Sequence, residues 1–228
     1  MEPLKRPPLP PAVAVMAKVP GSGPVKSRLH GALTAERATE LYRCFLLDRL
    51  DAVASLADVS PVVAFTPAEA RPALAPLAPA RFELMAQEGA DLGERLSTLL
   101  TALLERGHAG AIAIDSDSPT LPMAYVGEAA RRLGEGLSDV VLGPCEDGGY
   151  YLIGLAAPQP ALFEGIPWST DAVLALTVEK ARQRDLSVHL LPAWFDVDTE
   201  PDLRRLRVAL AASSDGPRRT AEFLRRLP

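Results

Sequence analysis

The stretch Ala111-Ile112-Ala113-Ile114-Asp115-Ser116-Asp117-Ser118-Pro119-Thr120 constrains this chain more than any other. Four small or branched apolar residues run without a polar break, as in a short strand covered on both faces of a parallel sheet. An Asp-Ser-Asp triplet stops the run and a proline follows. In open α/β sheets the ligand site lies beyond the carboxyl ends of the strands. Two carboxylates one residue apart at such an end, Asp115 and Asp117, can offer hard oxygen ligands to a divalent cation that also holds phosphates. The same two residues can instead close a turn and cap a helix starting near Pro122. Asp-x-Asp alone is too short a motif to choose between these readings.

A second buried strand is predicted over residues 12–17, and it runs into a loop over 18–29. Gly21 and Gly23 sit in that loop with three cations, Lys18, Lys26 and Arg28. Glycines let a backbone approach phosphate closely, and Lys and Arg neutralise its charge. The loop is not a P-loop, because Val25 stands where that motif needs glycine, and it lacks the third glycine of a dinucleotide fingerprint. A solvated surface loop is the plainer alternative. Its place directly after a buried strand favours phosphate.

Further strands are predicted over 61–66, 81–86, 140–144 and 187–191. Helices are predicted from a Thr34 cap to about residue 56, then over 94–106, 122–133 and 172–184, with two more near 202–211 and 217–227. In the first helix, Ala38, Leu41, Tyr42, Phe45, Leu46 and Val53 trace the apolar period, and Arg49 is expected at its rim. The loop 87–95 carries Gln87, Gly89 and Arg95, which line a nucleotide pocket unless Asp91 merely caps the next helix. Glu146, Asp147, Gly148 and Gly149 form either a hairpin turn or an open, acid-lined pocket wall. Trp168 is core or a stacking platform, and Ser169 or Thr170 caps a helix. His189 reads as structural. Asp196 and Asp198 are a second spaced acidic pair that can complete a cation site, while Thr199 and Asp202 have the spacing of a helix start.

A net charge of −5 over 228 residues argues against general binding to nucleic acid or to a membrane surface. Residues 1–11, with five prolines, read as a disordered leader before one α/β domain over 12–228. The apolar run after it is too short for a signal-peptide core, and no stretch has the length to span a bilayer. Two cysteines without metal-like spacing fit a reducing compartment, so the expected location is the cytoplasm.

Taken together, residues 18–29, 87–95, 114–119, 143–150, 168–170 and 195–202 resemble a bacterial family of transferases described as arsenosugar-biosynthesis glycosyltransferases or radical-SAM/selenodomain-associated transferases. That family is similar to a branch of the nucleotide-diphospho-sugar transferase superfamily, whose GT-A fold also serves molybdopterin and phospholactate guanylyltransferases. The resemblance implies a single Rossmann-type domain with a mostly parallel sheet and helices on both faces. It implies a nucleotide or nucleotide-sugar donor, a small-molecule acceptor and a Mg²⁺ or Mn²⁺ ion. Asp117 matches the superfamily's metal aspartate, with Asp198 beside it, whereas Asp115 departs from the glycine usual in the family. Lys18, Gly21, Gly23, Lys26 and Arg28 would then meet the donor phosphates. Glu146, Asp147, Gly148, Gly149, Trp168 and Thr170 would face acceptor or sugar. Asp117, Asp147 and Lys26 would act in catalysis, with Asp147 or Glu146 as the base of an inverting transfer. The fold hosts both glycosyl and nucleotidyl transfer, so the second reaction remains the alternative.

Overall fold

In this computed structural model, which describes residues 7–212 and 216–227, the apolar runs become the strands of one sheet. They are β1 (Ala12–Lys18), β2 (Ser60–Thr66), β3 (Glu83–Ala86), β4 (Ala111–Ile114), β5 (Val140–Pro144), β6 (Tyr150–Leu155) and β7 (Val188–Leu190). The sheet order is β3-β2-β1-β4-β6-β5-β7. Only β6 runs against the rest, because a tight turn returns it between β4 and β5. The mostly parallel α/β sheet expected of the sequence is therefore observed.

Helices α1 (Ala35–Ala54), α2 (Arg71–Leu74), α3 (Leu92–Glu105), α4 (Met123–Gly134) and α5 (Val173–Arg182) cover the sheet, and α6 (Glu200–Ala211) and α7 (Arg218–Arg225) pack outside α1. Strand alternation divides the core into two layers. Val13, Val15, Ile112 and Ile114 face Leu46 and Leu50 of α1 and Val126 and Leu133 of α4. Ala12, Ala14, Ala111 and Ala113 face the opposite layer, where their small side chains meet the leucines of α3. Each fully buried Val or Leu contributes roughly 1.5–3 kcal/mol. A third cluster joins the outer side of α1 to α6 and α7 through Phe45, Val197, Leu206 and Leu224.

One local reading changes, and two others gain detail. Arg49, expected at the rim of α1, is 1% exposed. His189 finds a partner in Glu128, with Nε2 3.0 Å from Oε1. Residues 1–6 of the expected leader lie outside the described residues, but Leu9 is already tied down: its N donates to Gly107 O at 2.9 Å, and Ala109 N donates to Leu9 O at 2.9 Å. Among the described residues, no helix is long and apolar enough to cross a membrane.

Candidate functional site

From β1 the chain steps through β2 to β3 on one side, and then returns to place β4 on the other side of β1. A crevice opens at such a reversal, outside the carboxyl ends of the two diverging strands. The loop after β1 and the Asp-Ser-Asp turn after β4 both empty into it, lining a cavity of about 290 Å³ with Thr66 and Gln87. Tyr42 of α1 ties the two strand ends together. Its hydroxyl accepts from Lys18 N at 3.0 Å and lies 3.0 Å from Ser116 Oγ, and burial pushes its pKa up to about 12. A third segment arrives from beyond β7, where Val197 N donates to Asp117 O at 3.0 Å. That bond delivers the next residue, Asp198, to the same cavity.

Lys26 joins all three segments. Its Nζ stands 2.5 Å from Asp117 Oδ1 and 2.8 Å from Asp198 Oδ1, and its side chain is only 3% exposed. Burial alone would lower its pKa, yet the two carboxylates outweigh that and hold the ammonium charged above the usual lysine range. The sequence suggests Lys26 as a phosphate contact; here it is the counter-ion of both candidate metal ligands. The physical reason is plain, since an ammonium taken out of water requires an anion nearby. Arg28 stands further out, 72% exposed, with Nη1 3.6 Å from Asp198 Oδ2. Lys18 folds back to donate from Nζ to Pro24 O at 2.9 Å. Gly21, at φ 86°, supplies the left-handed turn at the tip of the loop.

Asp115 turns away from the cavity. Its Oδ2 accepts from Ser118 Oγ at 2.6 Å, while its buried Oδ1 has no partner. Burial pushes its pKa up to about 6 against the pull of the Arg49 guanidinium. Arg49 also donates from Nη2 to Ser118 O, so one buried cation braces the whole turn from below. Asp115 therefore supports the turn and does not line the cavity beside Asp117.

Among the described residues, no group of three or more His, Cys, Asp and Glu side chains is placed to hold a metal ion. At the cavity, Asp117 and Asp198 converge on one cation, Lys26. Mg²⁺ usually keeps several waters and binds through one or two carboxylates plus substrate phosphates. The pair therefore fits an ion that arrives with phosphates, and does not fit a permanently resident one.

Residues 49–170 match the model of a family described as "Uncharacterized protein conserved in bacteria (DUF2064)". The chain belongs to that family. Among solved structures, this DUF2064 protein is 34% identical to a candidate nucleotide-diphospho-sugar transferase from Desulfovibrio desulfuricans G20, with a TM-score of 0.87 over 95% of this chain and 94% of that one. Its fold, that of the nucleotide-diphospho-sugar transferases, is shared at lower identity. CMP:2-keto-3-deoxy-manno-octonic acid synthetase, complexed with CTP, is 11% identical, with a TM-score of 0.57 over 89% and 98% of the two chains. Molybdopterin-guanine dinucleotide biosynthesis protein A from Archaeoglobus fulgidus is 15% identical, with a TM-score of 0.55 over 89% and 100%. No curated protein matches the chain.

In the DUF2064 protein, the remaining groups expected beside the donor or acceptor also make internal bonds. Gln87 donates from Nε2 to Ala64 O at 2.7 Å and to Ala17 O at 3.4 Å, which leaves its Oε1 as the group it can offer the cavity. Arg95 turns back to donate to Gly89 O at 3.1 Å, and Asp91 caps α3 by accepting from Glu94 N at 2.9 Å. Around β5 and β6, Glu146 is held by Arg205 through bonds of 2.6 and 2.8 Å. Asp147 is exposed; its Oδ1 accepts from Gly149 N at 2.9 Å. Gly148 lies at φ 89°, and a Cβ there would come within 2.2 Å of Asp171 O. Trp168 packs edge-on against Tyr150 at 6.4 Å and into the gap left by Gly93 of α3. Thr170 donates from Oγ1 to Pro167 O at 2.8 Å, within its own turn. Tyr42, Ser116 and Arg49 escape sequence reasoning as site residues, because each reads as an ordinary helix or turn position.

Proposed function

We propose that this protein is a metal-dependent transferase that takes a sugar from a nucleotide-diphospho-sugar donor and passes it to a small-molecule acceptor. The observation that carries the reading is the meeting of Lys26, Asp117 and Asp198 at the strand-order reversal of a nucleotide-diphospho-sugar transferase fold. Asp117 and Asp198 would hold Mg²⁺ or Mn²⁺, which when bound supplies positive charge against the departing diphosphate, commonly the largest catalytic contribution. Lys18, Lys26 and Arg28 add cations from the first loop, and Gly21 and Gly23 let its backbone approach the phosphates. Met16 and Leu92 give the cavity lining apolar surface for the nucleoside, and Gln87 Oε1 offers it an acceptor. On the acceptor side, Asp147 is the base that takes the hydroxyl proton, since Glu146 is tied to Arg205. The shared motifs support a place among the arsenosugar- and selenodomain-associated glycosyltransferases, working in the cytoplasm.

A second reading, nucleotidyl transfer with release of pyrophosphate, is favoured by the same three cations, whose charge suits a triphosphate. The products separate the two. With Mn²⁺ and a nucleotide sugar, the protein is expected to release free sugar and nucleoside diphosphate slowly even without an acceptor. Water replaces the acceptor poorly, because the positioning advantage is lost. Mass spectrometry that finds pyrophosphate from a nucleoside triphosphate, with every nucleotide sugar intact, would overturn the first reading in favour of the second.

A further inference from the structure

We propose that Lys26 is a built-in counter-cation that keeps Asp117 and Asp198 closed to divalent metal until nucleotide phosphates arrive. Its ammonium stands between the two carboxylates, 2.5 Å from one and 2.8 Å from the other, where an ion shared by them would bind. The two acids are 39% and 37% exposed, so an incoming ion can reach them, whereas the lysine side chain is 3% exposed. Its backbone lies at φ 50°, ψ 39°, a left-handed conformation that a residue with a Cβ rarely adopts without surroundings that enforce it. The Phe45 ring lies under the ammonium at 5.9 Å from its centroid, a further contact that favours the cation in place.

A divalent ion without nucleotide must displace this ammonium and leave it buried without its anions, which opposes binding. A nucleotide changes the balance. Its phosphates offer the ammonium new oxygen partners and supply the ion with ligands that two carboxylates do not provide. Metal and nucleotide then bind with positive coupling, which must be reciprocal. Lys26 thus acts as a positioning residue in the resting protein and as a phosphate contact once the donor is bound. This inference rests on the metal reading proposed above.

The test is Mn²⁺ binding by calorimetry on the full chain, first with no nucleotide present. The wild type is expected to bind Mn²⁺ at least ten-fold more weakly than Lys26→Gln, and adding Asp117→Asn to that variant should abolish the gain. Lys26→Met, which also lacks the charge, is expected to behave like Lys26→Gln. Melting curves on each variant ensure that folded proteins are compared. Adding saturating UDP, GDP or CDP should then raise the wild type's affinity for Mn²⁺ with at least one of the three. If that rise occurs but neither Lys26 variant gains Mn²⁺ affinity without nucleotide, the counter-cation role is overturned and the metal reading stands. If the wild type takes no Mn²⁺ even with nucleotide, both fall.

Discussion

The Asp-Ser-Asp turn after β4 and the Asp-Gly-Gly turn after β5 are similar in sequence and opposite in use. Each follows a strand buried on both faces, and each carries paired acids. At the first, three segments far apart in sequence converge: Asp117 meets Lys26 from the β1 loop and Asp198 from beyond β7, while Asp115 is braced from below by Arg49 of α1. At the second, the acids lie on the outside. Glu146 pairs with Arg205, whose guanidinium carbon also sits 3.9 Å over the Phe195 ring, and Asp147 accepts from its own turn. The cause is topological. The first turn lies where neighbouring strands depart in opposite directions and leave a crevice, whereas the second closes the β5–β6 hairpin with both of its acids exposed to solvent. An acid at a strand end becomes a site when the sheet order brings other segments to it.

The comparison predicts unequal responses to mutation. The largest concerns the brace of the first turn. Replacing Arg49 by Met leaves Asp115 buried without its compensating charge and leaves Ser118 O with Leu121 N as its donor, so urea unfolding should show a loss of about 3 kcal/mol, mainly from the unpaired carboxylate. A variant as stable as the wild type would mean that the turn needs no buried cation.

That arginine also marks how far the sequence could be read. Strands β1, β2 and β4 were legible because four to six apolar residues in a row have few alternatives to a covered sheet. The start of α6 was legible too: Thr199 and Asp202 form the capping box that their spacing suggests, with Asp202 Oδ2 accepting from Thr199 N at 2.7 Å. Arg49 falls on the apolar period of α1, and charge alone argued for the rim; its burial depends on a turn 66 residues later, at Asp115. The role of Lys26 was hidden for the same reason. Its neighbours in space are residues 117 and 198, and no local pattern announces a contact of that span.

A smaller effect is expected at Asp196, whose pKa burial and the nearby Asp198 and Asp147 push up to about 6. The unfolded chain gives up that proton near pH 4, so between about pH 4 and 6 the native state holds more protons and loses stability as pH rises. Above about pH 6 the penalty is complete. Asp196→Asn should therefore stabilise the protein at about pH 8, by about 1 kcal/mol after allowance for solvent screening, and should gain nothing near pH 4. Thermal melts at the two pH values check the sign.

The smallest effect is expected at the second turn. The Glu146–Arg205 pair is exposed on both sides, so Glu146→Gln should cost at most about 1 kcal/mol and leave donor turnover unchanged. A large fall in turnover with unaltered stability would move Glu146 from the surface pair into the chemistry and erase the contrast between the turns.

The central claim is that Asp117 belongs to a site for metal and nucleotide phosphates. Its most direct test is calorimetric titration of a nucleoside diphosphate panel into wild type and Asp117→Asn, with and without Mn²⁺. In the wild type, Mn²⁺ should strengthen binding of at least one diphosphate, and in the variant that gain should vanish while the melting temperature stays within a few degrees. Equal gains from Mn²⁺ in both proteins would contradict the account.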